Sequence, residues 1–117
     1  LAVAMLDAFP LASGHTLVVP KIHYSKIQDM DRDSSVSVFL LVRKISGALE
    51  KAVNVNSATI AIHNGKDAGQ EIPHLHVHII PRTKEDGAGP VHSMFEHRPK
   101  LNTEQIDLIY RNIKNEL

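Results

Sequence analysis

The sequence predicts an α+β domain with a mainly antiparallel sheet, one long central helix and a second helix at the C-terminus. Three observations predict it. Short β-rich runs recur along the chain, each punctuated by proline, glycine or asparagine. A single long stretch between the second and third runs has helical rather than alternating apolar spacing. The C-terminal residues repeat that helical spacing.

Residues 1–6, LAVAML, form the first run, closed by the turn-prone PLASG at 10–14. HTLVVP (15–20) is β-rich and stopped by proline, which makes it the second. A polar Asp/Arg/Ser cluster at 30–35 suits a helix cap. From there Val38, Leu41, Ile45, Leu49 and Val53 share one face, with Arg43, Lys44, Glu50 and Lys51 on the other. A helix over 33–53 follows. SATIAIH (57–63) is the third run, NGKDAGQ (64–70) has turn composition throughout, and PHLHVHIIP (73–81) is the fourth. Residues 83–100 contain Gly87, Gly89, Pro90 and Pro99 and predict a long connection, of a length that is usually functional or mobile. The last helix starts at about Thr103, capped by Asn102 or Thr103, with Ile106, Ile109, Ile113 and Leu117 along one stripe.

The 117 residues are enough for one domain, 1–117, with a single apolar core. Lys plus Arg and Asp plus Glu both number 13, so the formal charge is zero. That balance argues against a nucleic-acid polymer as partner, because such binding draws on a basic surface. A small anion needs only a few local donors and stays open. The chain has no cysteine, which excludes disulfides, thiolate zinc sites and cysteine nucleophiles among these residues. It also fits a reducing compartment, the cytoplasm or, in a eukaryote, the nucleus. No apolar run approaches the roughly 20 residues of a membrane helix. The first residue is Leu1, inside an apolar run, so further residues are expected upstream.

PHLHVHIIP concentrates the chemistry. On a strand alternate side chains share a face, so His74, His76 and His78 line one side while Leu75, Val77 and Ile79 enter a core. Three readings compete. A metal would need nitrogens at about 2.1 Å, whereas His74 and His78 would lie about 13 Å apart at Cα. Such a site would want a ligand from elsewhere, His15 or His63. A plain polar face is the second reading, and three consecutive same-face histidines are improbable under it. The third is reactivity: neutral imidazole is a nucleophile, and neighbouring rings can donate protons or stabilise charge. The turn just upstream, with Gly65 and Gly69, offers backbone N–H groups to an oxyanion or phosphate. It holds a Gly-Lys pair but lacks the spacing of a P-loop. A phosphate-binding turn feeding a histidine suggests attack on phosphorus.

These residues resemble the histidine triad (HIT) family, in its Hint-like and Fhit-like branch. The match covers HLHVHII (74–80) with Pro81 and Arg82 after it and Asn64, Gly65, Ala68, Gly69 and Gln70 before it. A second block is Asp7-Ala8-Phe9-Pro10, then GHTLVVPK (14–21) and His23. The resemblance implies the HIT fold, with a five-stranded, mainly antiparallel sheet that joins a second copy's sheet in a homodimer. It implies a nucleotide pocket and hydrolase or transferase chemistry on an α-phosphate, with no metal or other cofactor. It implies that His76 is the nucleophile, that His78 contacts the phosphate and helps the leaving group, and that His74 supports its neighbours. His15 matches a fourth histidine behind the triad. The nucleotide-binding positions so implied are Asp7, Ala8, Phe9, His63, Asn64, Gly69, Gln70 and Glu71, with Asp7 on the ribose hydroxyls. Met5, Leu6, Phe9 and Val18 would wall the base. One position departs: His63 stands where the family usually has Asn or Gln, so either an imidazole makes that contact or Asn64 takes it over. His23, His92 and His97 read as surface or rim residues, and Lys66 as solvated.

The leading function is hydrolysis of purine nucleoside phosphoramidates through a nucleotidyl-histidine intermediate. The alternatives are a dinucleoside polyphosphate hydrolase, a nucleotide-binding interaction module, and a metal-binding protein.

Overall fold

The computed structural model describes all 117 residues, Leu1–Leu117. They fall into two compact units, Leu1–Asp86 and Gly87–Leu117. In the first, β1 (Ala2–Leu6), β2 (Thr16–Pro20), β3 (Ser57–Ala61) and β4 (Val77–Arg82) form one antiparallel sheet in the order β1-β2-β4-β3. The long helix α1 (Arg32–Ala52) packs across it. The sheet has four strands where five were expected. Only four runs of the chain have strand character, and the connection after β4 contributes a single 3-10 turn, Val91–Met94, instead of a strand.

Alternation sorts the two faces of the sheet. Val18 of β2 and Val77 and Ile79 of β4 are fully buried against Val38 and Val42 of α1, with Leu41, Ile45 and Leu49 packed alongside. Each fully buried side chain of this kind contributes about 1.5–3 kcal/mol. No helix of this unit covers the other face. Across it Met5 pairs with Leu17, Leu17 with His78, and His78 with Ala61, one residue from each strand. The register that buries the valines therefore also fixes which residues flank His78 on the open face.

The helix is closed at both ends by its own sequence. Asp31 accepts a hydrogen bond from the Ser34 N–H at 2.7 Å, and that bond holds its carboxyl below the usual aspartate value. At the far end Asn54 takes the left-handed conformation (φ 56°) and the Val55 N–H reaches back to the Glu50 carbonyl at 2.9 Å. In the second unit α2 (Thr103–Glu116) starts at Asn102, whose side chain and that of Gln105 cap each other's backbone N–H. No helix is long and apolar enough to cross a membrane.

Candidate active site

The histidine segment is less regular than a strand. Ladder pairing with β2 runs only from Ile79 back to Val77, so His78 lies in β4 while His74 and His76 lie on the approach to it. The reason is local. The Leu75 N–H is taken by the Tyr24 carbonyl at 2.7 Å, and the Pro20 carbonyl, last of β2, contacts the His74 ring instead of a ladder amide. The alternation survives: Leu75, Val77 and Ile79 are fully buried, and His74, His76 and His78 are all partly exposed.

Hydrogen bonds fix the tautomer of each ring, because a carbonyl oxygen can only accept and a backbone N–H can only donate. His76 Nδ1 lies 2.8 Å from the His74 carbonyl, so it carries the proton and leaves Nε2 with a free lone pair. His15 is 2% exposed, and its Nδ1 accepts from the Leu11 N–H at 3.0 Å. Its Nε2 therefore holds the proton and donates to His78 Nδ1 at 2.9 Å. His78 is left with its proton on Nε2. The triad thus presents a bare nitrogen on His76 beside an N–H on His78, with ring centroids 5.0 Å apart. Burial, reinforced by repulsion from His76, His15 and His63 and partly opposed by Asp7, pushes His78 down from 6.5 to about 4. It is neutral at pH 7.

His74 lines the cleft with both ring nitrogens already occupied. It donates through Nε2 to the Pro20 carbonyl at 2.9 Å, and its Nδ1 accepts from His23 Nδ1 at 3.1 Å. Both of its nitrogens are engaged, so its ring is held in place while its own backbone carbonyl accepts from His76 Nδ1.

An open cleft of about 590 Å³ joins these rings to the apolar face. Met5, Phe9, Leu17 and Val19 line one end and Gly69, Glu71 and Ile72 the other. Asp7, His15, His63, His74, His76 and His78 also line it. Asp7 accepts from the Phe9 N–H at 2.9 Å through one oxygen and faces His15 Nε2 at 3.5 Å through the other. Ala8, Asn64 and Gln70, expected at the nucleotide, do not line the cleft, and neither do Leu6 and Val18, expected as base walls. Val18 belongs to the core on the opposite face. The turn at the far end is bracketed by Gly65 and Gly69, both at positive φ (111° and 97°). Its amides are mostly spent internally: Gly69 N–H on the Lys66 carbonyl, Gln70 N–H on that of Gly65. The Gln70 side chain braces the turn between Gly65, Ser25 and Ile72. The Glu71 N–H makes no bond within the chain and stands at the cleft.

Between the two alternatives for the departing position, hydrogen bonding discriminates. Asn64 spends its oxygen on the Ile27 N–H at 2.8 Å and its amide on Gln28 Oε1 at 3.0 Å. His63 lines the cleft, its ring 5.4 Å from that of His78 and without a hydrogen bond of its own. Asp7, His15 and His78 bring three ligand atoms within 4.8 Å of one another, the spacing of a metal site. The Leu11 N–H argues for a relay instead, since a metal on Nε2 would require His15 to accept at both nitrogens, as an imidazolate. The residue missed from sequence is His23, read as rim. Its signal was present in its place three residues after Pro20, since both groups hold the same ring.

An α+β unit with a row of tautomer-locked imidazoles on the open face of its sheet defines a narrow class of protein. The chain belongs to the HIT domain family, whose domain its residues 1–85 match. It is 35% identical over 109 residues to an adenylylsulfatase, HINT3, of Arabidopsis thaliana, covering 93% of this chain and 55% of that one. It is 38% identical over 86 residues to a bis(5'-nucleosyl)-tetraphosphatase (asymmetrical) of Schizosaccharomyces pombe, covering 74% and 47%. The chain thus spans about half the length of these curated relatives. Among solved structures, a HIT family member from Bacillus subtilis superposes with a TM-score of 0.85 at 30% identity, over 99% of this chain and 82% of that one.

Proposed function

We propose that this protein hydrolyses purine nucleoside conjugates at the α-phosphate, phosphoramidates included, through a nucleotidyl intermediate on His76. The observation that carries the reading is the bond from His76 Nδ1 to the His74 carbonyl, which leaves Nε2 as the free nucleophilic nitrogen. The base stacks at the apolar end of the cleft, with the ribose hydroxyls at Asp7. His76 Nε2 attacks the α-phosphorus, the bond to the leaving group breaks, and its electron pair departs with that group, which as an amine takes up the His78 Nε2 proton. The Glu71 N–H hydrogen-bonds the phosphoryl oxygens as charge develops on them. Water then attacks the same phosphorus and returns a proton to His78, the phosphorus–nitrogen bond breaks, the nucleoside monophosphate is released and free His76 is regenerated. The names of the two enzymes above, an adenylylsulfatase and a nucleosyl tetraphosphatase, support a nucleotide substrate while differing in leaving group.

The test is adenosine 5'-phosphoramidate turnover with acid-quenched single-turnover trapping. Wild type is expected to form a covalent adduct on His76, and His76→Ala to lose both adduct and turnover by a factor of about 10³ or more. Full turnover in His76→Ala sinks the reading. The outer face of α1 carries Val36, Phe39 and Leu40 at 43–57% exposure, which supports a homodimer, and light scattering would measure it.

A further inference from the structure

Asp7 shares the cleft with the apolar wall of Met5, Phe9 and Leu17 and with the rings of His15 and His78. Its side chain is 18% exposed, open enough to meet a ligand. One carboxylate oxygen accepts from the Phe9 N–H at 2.9 Å, and the other lies 3.5 Å from His15 Nε2. A carboxylate has about four acceptor positions, so these two contacts leave places for hydroxyl groups. The nitrogen that Asp7 faces is the one that donates to His78 Nδ1 at 2.9 Å. One oxygen of Asp7 and one ring nitrogen each of His15 and His78 therefore lie within 4.8 Å of one another.

At that separation the charge of Asp7 is felt at His78. A negative charge beside an imidazole strengthens the ring's hold on its protons. Against burial and the repulsion of His76, His15 and His63, Asp7 is the group that works to keep a proton on His78. Glu71, the other carboxylate lining the cleft, is exposed and pairs with no histidine. His78 is also the ring that releases its Nε2 proton when an amine departs, so a bare Asp7 carboxylate resists that release. Hydroxyls that donate to the carboxylate draw its charge away from the His15–His78 pair and ease it.

We infer that Asp7 couples recognition of the ribose to release of the His78 proton, so that the sugar hydroxyls raise the rate of nucleotidyl transfer as well as the affinity. This rests on the triad cleft being the site of that transfer, with the ribose at Asp7. Beyond its contact with the sugar, Asp7 is then a positioning residue that acts through His15 on His78. No bond is made or broken beyond those of the transfer itself. What changes is how firmly His78 holds the proton it passes to the amine. The consequence is a preference for ribose over deoxygenated sugars that is expressed in the chemical step.

Two substrates separate the roles: adenosine 5'-phosphoramidate and its 2',3'-dideoxy analogue, each followed at saturation in single-turnover formation of the His76 adduct. In wild type, removing the hydroxyls is expected to weaken binding and also to slow adduct formation about fivefold, the effect of an unrelieved charge close to the proton donor. In Asp7→Asn and in Asp7→Ser, both able to accept from the Phe9 N–H, the two substrates should react within about twofold of each other. The dideoxy substrate should also react faster in these variants than in wild type. A wild type that loses affinity alone, or variants that keep the wild-type rate difference, overturns the coupling while the His76 adduct still forms. A wild type that forms no adduct on either substrate sinks the triad reading instead, and the NMR resonance of the His15 Nε2–H at neutral pH then decides the coupling. Adenosine should move that resonance further than 2',3'-dideoxyadenosine does in wild type, and no further than it does in Asp7→Asn. Equal movement in wild type overturns the inference.

Discussion

His76 and His74 are two residues apart and both partly exposed, yet only one keeps a free ring nitrogen. The difference lies in acceptors: a single backbone carbonyl takes one nitrogen of His76, whereas His74 is held at both, by Pro20 and His23. His23 therefore acts on His76, the proposed nucleophile, through His74. His23→Ala is expected to lower the rate of adduct formation about tenfold, one hydrogen bond's worth. His23→Asn, whose amide nitrogen can donate in place of Nδ1, should restore most of it without changing KM. Equal loss in both variants, read by single-turnover kinetics, would show that His23 serves only packing. Sequence pattern could identify three same-face histidines, but not which nitrogen of each was occupied. That depends on carbonyls and amides at Pro20 and Leu11, far away along the chain.

At the level of elements, the most constrained link is the turn into β2 that delivers His15. Gly14 sits at φ 89°, and a Cβ there would lie 2.9 Å from Leu49 Cδ1 and 3.0 Å from Val53 Cγ1. Conformation and space both forbid a side chain. Gly14→Ala should cost about 2–4 kcal/mol, from backbone strain plus overpacking. A lowered urea midpoint at constant slope would report it, and an unchanged midpoint would contradict it. Because His15 follows directly, the same substitution should also disturb the His15–His78 bond and slow turnover of the folded fraction. Element positions were largely legible: α1 was expected over 33–53 and spans Arg32–Ala52, since apolar spacing and the Asp31 cap agree. The histidine strand was drawn too long at its start, because the ladder is interrupted by a side chain bonding the Pro20 carbonyl, an event with no periodic signature.

Across the whole molecule, the depressed titration of His78 links the site to stability. Its folded value of about 4 lies below the ordinary 6.5, so between those limits the unfolded chain binds a proton that the folded chain refuses. Stability should therefore be unaffected by this group above pH 6.5 and fall as pH drops toward 4. His78→Asn should flatten the part of the curve between about pH 6.5 and 5, before carboxylates titrate. Paired urea titrations of the two proteins would measure it, and parallel curves would refute the linkage.

The fold class, the order of the elements, the core face of β4 and the placing of a histidine row on its other face all follow from periodicity, punctuation and residue type. These are local properties, so the linear chain displays them. The tautomer of His78, the engagement of both nitrogens of His74, the retreat of Asn64 that leaves His63 in the cleft and the pairing of His23 with the triad do not. Each depends on which polar group from a distant segment reaches a given nitrogen or oxygen first, and folding alone brings those groups within 3 Å or so of each other.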